Sequence, residues 1–532
     1  MSTAARIKNG HRARPLQSRW VLLFRRAVLI AAGLLPLALG GCRLQEWAHN
    51  GYKVGPNYLR PAVAVSSEWI DYEDDRVSTD RPNLATWWTV FNDPTIDELV
   101  RTALQQNLDL RGAGARIMEA RYRRQIAVGS LFPQQQFLSG SYAAIKQSGS
   151  SAFTPPRLWF DNWDNALNVS WELDFWGRYR RSIESADAIL DASVENFDNV
   201  IVLLLAEVCS SYVEYRSFQQ RLVYAHNNVT AQEKSLDMAQ NRLKEGVATR
   251  RDVEQARTIL EQTRALIPAF ELGKRVAANR LCVLLGGPPR DLESELGEAP
   301  IPEAAPEVAV GIPADLVRRR PDVRQAEREL AAQSAQIGIA ASDLYPHITL
   351  NGNFGVAAEK FGDLFDSPRS LAGAVGPAFR WDVLNYGRLL SNVRVQDARF
   401  QQLAYAYQQT VLDAGREAED GITSFLRNQE RLKSLTACAD AAKNTREITF
   451  KQYSEGAADF TAVFIAEAEL ATRQDQMAAS QGDVALSLIS LYRALGGGWE
   501  IRLMNPSATA AGDSDATESR ESVPAIATPE QP

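Results

Sequence analysis

The chain contains 532 residues, of which 45% are hydrophobic and 23% are charged, a composition typical of a folded protein rather than a disordered one. Its formal net charge of −7 excludes a nucleic-acid-binding protein, which would need a basic face. Four cysteines are too few for a disulfide scaffold, and the four histidines lack the spacing of metal ligands. The mean hydropathy of −0.26 excludes a bundle of transmembrane helices.

Residues 1–41 have the pattern of an export signal peptide. Arg19, Arg25 and Arg26 precede an apolar run, Ala27–Leu39, which is too short to span a membrane. Small residues then lead directly to Cys42, as in a bacterial lipobox, in which the cysteine is acylated and becomes the new N-terminus. We therefore predict a lipid on Cys42. The alternative is an ordinary signal peptide with an incidental cysteine.

The predicted mature chain is acidic. Residues 1–41 carry seven basic and no acidic side chains, so their removal takes the net charge from −7 to −14. Position 43 is arginine rather than aspartate, which in such lipoproteins is compatible with export to the outer membrane. These features predict an exported, lipid-anchored protein.

An internal repeat is the most informative feature of the sequence. Matching residues recur at a constant spacing of 210 over more than a hundred positions, and before Trp171 the spacing changes to 213. The matched pairs include Trp171 and Trp381, Gly177 and Gly387, Glu207 and Glu417, Gly246 and Gly456, and Gly286 and Gly496. A constant spacing of this kind predicts a tandem duplication of one structural unit.

The repeat divides the chain into six predicted segments. They are a signal peptide (1–41), a lipidated N-terminal segment (42–86), repeat 1 (87–297), a linker (298–311), repeat 2 (312–503) and a disordered tail (504–532). The linker is rich in proline, and the tail is rich in Ala, Ser, Thr, Pro and acidic residues.

Each repeat begins with segments in which apolar and polar residues alternate, a pattern typical of half-buried strands. In repeat 2 these segments run from Ile348 to Val356 and from Phe379 to Val383, and in repeat 1 from Leu167 to Leu173. A soluble sandwich would show the same alternation. Segments of about ten residues, with aromatic residues clustered at both ends of the repeat 1 strand, favour a membrane barrel.

Long helices follow the strands. From Ile183 to Leu222 the apolar residues are three or four positions apart, with a mean step close to that of a coiled coil. The spacing predicts a helix from Arg178 to Glu245, roughly 100 Å long, and Gly246 and Gly456 mark helix ends. An isolated structural coiled coil is the alternative, but it would need neither strands nor export. Each repeat is thus predicted to be a long helical hairpin attached to a short β-hairpin.

Four predicted strands per chain require assembly with other copies. An open four-stranded sheet in lipid would leave backbone groups unsatisfied at its edges. Two chains would give eight strands, a barrel filled by side chains, whereas three would give twelve and leave room for a pore. The predicted fold is therefore a mixed α/β membrane protein, a trimeric transmembrane β-barrel of twelve strands continued by a long α-helical coiled-coil barrel.

Several short motifs identify a family. Val54–Tyr58 with Arg60-Pro61, and Ile312–Leu316 with Arg320–Val323, resemble the signatures of the TolC-like outer-membrane efflux family. The resemblance is to its lipoprotein branch, which serves tripartite pumps of the resistance-nodulation-division type. It implies a homotrimer with a twelve-stranded barrel in the outer membrane, an α-helical barrel below it in the periplasm, and an equatorial collar around the middle. It also implies two partners, a periplasmic adaptor (membrane fusion) protein and an inner-membrane pump, which we expect to be proton-driven.

The resemblance also implies that the tips of the helical hairpins dock the adaptor and constrict the pore. The predicted docking residues are Arg242, Gly246, Val247, Ala248, Gly456 and Ala457. The predicted aperture residues are Arg250, Arg251, Asp252, Asp459, Phe460, Phe464 and Ile465.

The second tip departs from the family pattern. Many members carry aspartates after this turn, but here the aligned positions are Ala462 and Ile465. We therefore expect an apolar constriction formed by Phe460, Phe464 or Ile465, which would gate by dewetting. Two further roles stay open: Asp252 can cap a helix instead of lining the aperture, and Arg250 or Arg251 can pair with Asp459 to hold the tips closed.

The predicted function is a passive exit duct for small molecules such as drugs or toxic metabolites, with no catalysis, no metal and no cofactor apart from the lipid. No nucleophile elbow or zinc motif occurs in the sequence. The alternative is the outlet of a type I-like peptide or protein secretion system, and an adhesive coiled coil fits the duplicated strands less well. Cys209, Cys282 and Cys438 are expected to be small buried side chains.

Overall fold

The computed structural model describes residues 45, 47–78, 80, 83–149, 157–366 and 369–504. The predicted signal peptide, Cys42 and all of the predicted tail except Met504 lie outside the described residues. Contacts divide the chain into two compact units, each built from segments of both repeats. Of the described residues, the strand unit contains those within 45–57, Val128–Ile183 and Ser334–Gln396, and the helical unit contains those within Tyr58–Ala127, Glu184–Gln333 and 397–504.

Six strands and ten α-helices lie entirely within the described parts of the chain, and residues 47–49 are helical as well. The strands are β1 (Val77–Ser78), β2 (Gln135–Lys146), β3 (Trp159–Leu173), β4 (Val308–Ala309), β5 (His347–Ala358) and β6 (Leu371–Arg380). The helices are α1 (Pro94–Gln106), α2 (Leu108–Gly129), α3 (Arg178–Lys244), α4 (Arg250–Leu284), α5 (Glu293–Leu296), α6 (Pro313–Arg319), α7 (Pro321–Ser342), α8 (Arg388–Ser454), α9 (Phe460–Ala494) and α10 (Ile501–Met504). Short 3-10 helices cover Trp87–Phe91 and Phe361–Phe365.

A four-stranded antiparallel sheet forms the centre of the strand unit. Its strand order is β2-β3-β5-β6, so each repeat contributes one hairpin and the two hairpins pair through β3 and β5. The register places Leu167 opposite Phe354 and Asn168 opposite Asn353. Because opposite residues point to the same side of a sheet, one face is mainly apolar and the other carries amides and hydroxyls. This confirms the predicted alternation.

The position of one strand was predicted wrongly. The alternation from Phe379 to Val383 indicated a strand there, but β6 ends at Arg380 and begins at Leu371. Half of the ten residues of β6 are alanine or glycine. The strand also contains Pro377, which is compatible with an edge strand within one chain. The apolar side chains of Trp381 and Val383 lie beyond the sheet and are exposed.

Two very long helices confirm the helical hairpins. α3 and α8 each contain 67 residues, and α3 ends one residue before the predicted position. Their partners α4 and α9 contain 35 residues each. None of the helices in the described parts of the chain combines the length and apolarity needed to cross a membrane.

The helical unit has one large core near the level of the linker. Trp87 is fully buried and stacks on Tyr492 at 5.3 Å between ring centroids. Arg216 is also fully buried, and it donates hydrogen bonds of 2.7 Å to the carbonyl oxygens of Leu296 and Gly297. β1 pairs in parallel with β4, so the segment before repeat 1 is joined to the linker.

The cysteine prediction is correct for two residues of three. Cys209 and Cys282 are buried in the helical unit, whereas Cys438 is exposed. Cys438 lies on a stretch of α8 with many exposed positions, so the helical pattern around it did not indicate a buried side.

Candidate functional site at the hairpin tips

Both hairpin tips have the same turn. Gly246 and Gly456 have φ values of 75° and 79°, a conformation that favours glycine. Val247 N donates to Arg242 O at 2.9 Å, and Ala457 N donates to Gln452 O at 2.8 Å. These bonds satisfy the last carbonyl groups of α3 and α8 in a Schellman motif. The predicted helix ends are therefore confirmed at both tips.

The two helices that follow the turns are capped at their N-termini. Thr249 and Asp252 cap α4, and Asp459 caps α9. Thr249 caps α4, and the Asp252 carboxylate accepts from Thr249 N at 2.9 Å, which completes a capping box. Asp459 is the N-cap of α9 and accepts from Ala462 N at 3.2 Å. Asp252 is buried and Asp459 is exposed. The capping role left open for Asp252 is thus present in the structure, at the third helical position rather than at the N-cap.

A small apolar cluster, the tip core, joins the two tips. It contains Ala239, Val253, Ala256, Tyr453, Phe460 and Val463. The Phe460 ring is 1% exposed and lies edge-on to Tyr453 at 5.4 Å. Phe460 therefore packs inside the tip and cannot also line a water-filled aperture in this conformation. Phe464 is partly buried against the tip core, and Ile465 is 56% exposed.

Arg242 fastens the first tip to the second. Its guanidinium lies 4.5 Å from the centroid of the Tyr453 ring, and Nη2 donates to the Ser454 carbonyl oxygen at 3.0 Å. The links expected from Arg250 or Arg251 to Asp459 are not formed within the described residues. Arg251 instead faces Asp252 at 3.6 Å, and Asp459 caps its own helix. The polar link between the tips is therefore made by an arginine before the first turn, not after it.

The predicted docking residues remain largely accessible. Val247 is 71% exposed, and Gly246, Gly456 and Ala457 are exposed beside it or on the second tip. Ala248 is half-buried. The two turns therefore present small or apolar groups to solvent at Gly246, Val247, Gly456 and Ala457.

A regular series of polar contacts connects the two hairpins above the tips. Four residues of α3 spaced seven apart each contact repeat 2, and we call these contacts the polar seam. The pairs are Arg221 Nε with Asp475 Oδ1 (2.6 Å), Asn228 Nδ2 with Gln474 Oε1 (2.9 Å), Ser235 Oγ with Glu467 Oε1 (2.6 Å) and Arg242 Nη2 with Ser454 O (3.0 Å). The seven-residue spacing is that of a coiled-coil interface. The seam was not predicted, because the helical interface was predicted from apolar positions alone; the same seven-residue spacing is present in these four polar residues of the sequence.

Glu467 is the most deeply buried acid of the seam. Its side chain is 2% exposed, and Oε1 accepts from Ser235 and, at 3.1 Å, from Arg446 Nη2. The Oε2 atom has no hydrogen-bond partner among the described residues. Burial raises the pKa of Glu467, and the bonds from Ser235 and Arg446 oppose this raise only in part. The neutral form of this carboxyl group is therefore less disfavoured here than in water.

The tips are built for contact between hairpins. In the described parts of the chain, no three His, Cys, Asp or Glu side chains are grouped so that they could hold a metal ion. Three kinds of contact join the two hairpins here: the tip core, the contacts of Arg242 with Tyr453 and Ser454, and the polar seam. Such an arrangement suits a surface that holds two hairpins together or releases them.

The chain is similar to known channels over most of its length. The sequence profile described as "Outer membrane efflux protein" matches residues 99–287 and 312–497, once in each repeat. "Nodulation protein T" of Rhizobium leguminosarum bv. trifolii is 31% identical over 85% of this chain and 95% of its own length. "Toluene efflux pump outer membrane protein TtgF" of Pseudomonas putida is 29% identical over 88% of this chain and 96% of its own length.

Solved structures share the fold. One of them, "Structural insights of the outer-membrane channel OprN", has a TM-score of 0.79 and 32% identity, and the match covers 84% of this chain and 99% of that one. The helical hairpins and four-stranded sheet described above are thus those of TolC-like channels, which confirms the predicted fold class. The chain is an outer-membrane efflux channel and belongs to the outer membrane efflux protein family.

Proposed function

We propose that three copies of this chain close a twelve-stranded barrel and act as the passive exit duct of a tripartite efflux system. The sheet carries the proposal. Within one chain β2 and β6 each have a single neighbouring strand among the described residues, and the sheet has one apolar and one polar face. In lipid, the free edges must pair with other copies, the apolar face must meet lipid, and the polar face must line the pore.

The polar face suits a duct for varied solutes. It carries hydrogen-bonded amides and hydroxyls, such as Ser170 with Asn351 at 2.6 Å and Asn168 with Ser139 at 2.8 Å. These amides and hydroxyls are uncharged and stay hydrated. We therefore propose small molecules as cargo, with selection made by the pump rather than by the duct. The duct itself carries out no catalysis and uses no cofactor.

Two partners and a lipid complete the proposal. A periplasmic adaptor docks on the exposed turns around Val247 and Ala457, and an inner-membrane pump, driven by protons, supplies the energy. Cys42 carries the lipid that holds the N-terminal segment at the outer membrane. The helical hairpins extend into the periplasm, where the tips meet the adaptor.

Site-specific photo-crosslinking in cells tests the partner model. A photoreactive residue replaces Val247, and the same probe at Ile70, which is 81% exposed in another part of the helical unit, is the control. We expect the first variant, but not the control, to capture the periplasmic adaptor of a proton-driven pump. Capture of an adaptor of an ATP-driven exporter would favour the secretion outlet instead. An assembled channel with no adduct at position 247 would contradict tip docking.

A further inference from the structure

The apolar face of the sheet contains a groove that the pore-forming role does not require. Its volume is about 580 Å³, and it crosses β3, β5 and β6. Its walls are Leu167, Trp171, Leu350, Phe354, Leu371 and Val375. The indole of Trp171 is held at one end by a hydrogen bond of 3.1 Å to the Leu131 carbonyl oxygen. The groove is therefore lined mainly by apolar side chains, and the Trp171 ring at one end of its β3 segment is fixed in orientation.

Gly352 sets the depth of the groove. It lies opposite Val169 on β3 and Val375 on β6, in the middle of the sheet. A Cβ atom at Gly352 would be 3.6 Å from both Ala374 O and Val375 Cγ2, which are ordinary contacts. Close packing therefore does not require glycine here. By contrast, a Cβ at Gly355 would collide with the Asn165 backbone, so that glycine is needed for packing.

A glycine in the interior of a strand weakens the strand, and it often marks a place where another molecule approaches the backbone closely. At Gly352 the missing side chain leaves a narrow apolar space between two valines. A linear hydrocarbon chain fits such a space, and the described residues that line the groove offer it no charged group.

The N-terminal segment of the chain is fixed beside the end of β3. The Trp47 ring stacks on Phe175 with centroids 5.0 Å apart, and Trp47 Nε1 donates to the Phe175 carbonyl oxygen at 3.3 Å. Val54 N donates to the Trp176 carbonyl oxygen at 3.0 Å. Cys42 precedes Trp47 by five residues, a reach of at most about 17 Å. From Trp171 to Leu167 the groove extends along β3 for about 13 Å.

We propose that this groove binds an acyl chain of the lipid attached to Cys42 of the same molecule. The inference rests on the proposed lipid anchor, and it adds a specific place for one of its chains. Holding the chain on the sheet ties the N-terminal segment to the barrel surface instead of leaving the lipid free in the bilayer.

Intramolecular photo-crosslinking tests the groove. Cells are supplied with a diazirine-labelled fatty acid, the intact channel is irradiated in its membrane, and the peptides are analysed by mass spectrometry. The mass of the N-terminal peptide first shows whether Cys42 carries lipid. We expect a cross-linked pair that joins the Cys42 peptide to the peptide containing Gly352 or Val375.

Two glycine variants give a matched comparison. Gly352→Leu fills the groove, and Gly376→Leu adds the same side chain to β6 on the opposite face, where a Cβ meets nothing within 4 Å among the described residues. With both variants assembled, we expect a roughly tenfold lower yield of the cross-linked pair for Gly352→Leu only, because its side chain takes the buried apolar space.

The outcomes separate the groove from the anchor. The groove proposal would be overturned if the lipid on Cys42 cross-linked only to membrane lipids. It would also be overturned if this lipid cross-linked to the sheet equally well in the Gly352→Leu variant. Adducts on the groove that come only from free phospholipid would overturn it as well. An unmodified Cys42 would overturn the anchor and the groove together, while the pore proposal would stand on its own evidence.

Discussion

At the residue scale, Glu467 links the stability of the hairpin pair to pH. Burial raises its pKa above the value in the unfolded chain, so the folded state binds the proton more tightly than the unfolded state does. Ionisation therefore costs stability as the pH rises through the interval between the two values, and that cost disappears in acid. The effect comes from a single carboxyl group, one oxygen of which has no partner among the described residues.

The variant Glu467→Gln tests this link. Glutamine is neutral and can still accept from Ser235, so we expect the variant to be more stable than the wild type at neutral pH. The advantage should be about 1.4 kcal/mol for each pH unit by which the pKa is raised, and it should vanish at acidic pH. Melting curves of both proteins from pH 4 to pH 8 measure it. A variant that is less stable at pH 7 would show that the ion pair with Arg446 outweighs burial.

Arg242 holds the two tips together through a ring and a carbonyl group. An exposed cation–π contact is worth about 0.5–1 kcal/mol, so Arg242→Ala should raise the open population of reconstituted channels by up to about fivefold. Lys244→Ala removes an exposed charge from the same helix end and serves as the control. Single-channel recording gives the open probability. Equal open probabilities for the two variants would mean that the contacts of Arg242 do not hold the tips together.

Phe460 shows what the sequence could not decide at this scale. Phe460 was predicted to follow the second turn and to line an apolar constriction. The direction of its ring, however, depends on contacts with Tyr453 and with the first hairpin. A residue that begins a helix can face its own hairpin, a neighbouring hairpin or the pore, and periodicity alone does not distinguish these cases.

At the scale of elements, the polar seam sets the register between α3 and α9. Apolar coiled-coil layers tolerate a shift of one heptad, whereas polar pairs at fixed positions do not, because a shift leaves buried groups without partners. Asn228 is buried, and its partner Gln474 lies on the facing helix. This pair therefore favours one alignment of the two hairpins.

A double-mutant cycle tests the seam. Asn228→Leu alone leaves the Gln474 amide without its partner and should cost about 1–3 kcal/mol. The combination with Gln474→Leu replaces both polar groups by apolar ones and should recover most of that loss. Denaturation midpoints of the four proteins give the coupling free energy. Additive losses would show that the two side chains do not act as a pair.

Sequence alone defined the elements with a strong period and missed those without one. α3 was predicted to within one residue because its apolar positions keep a regular step and no proline interrupts it. β6 was misplaced because Ala372, Gly373, Ala374 and Gly376 give no alternation. The seam joins residues as far apart as Arg221 and Asp475, and a pattern on one helix does not identify its partner.

At the scale of the whole molecule, the two repeats have long helices of equal length but different side chains at equivalent positions. The long helices and the turns match between repeats, yet the spacing of 210 residues places Arg257 at the position of Glu467. Arg257 is exposed, whereas Glu467 is buried. Only the second repeat therefore brings this acid into the interface between the hairpins.

The number of chains in the assembled channel tests the central claim most directly. Four strands per chain give a twelve-stranded barrel with a pore only when three copies combine. Native mass spectrometry of the protein extracted from its membrane counts the copies. We predict three. A dimer, whose eight strands would enclose a barrel filled by side chains, or a stable monomer would contradict the exit duct.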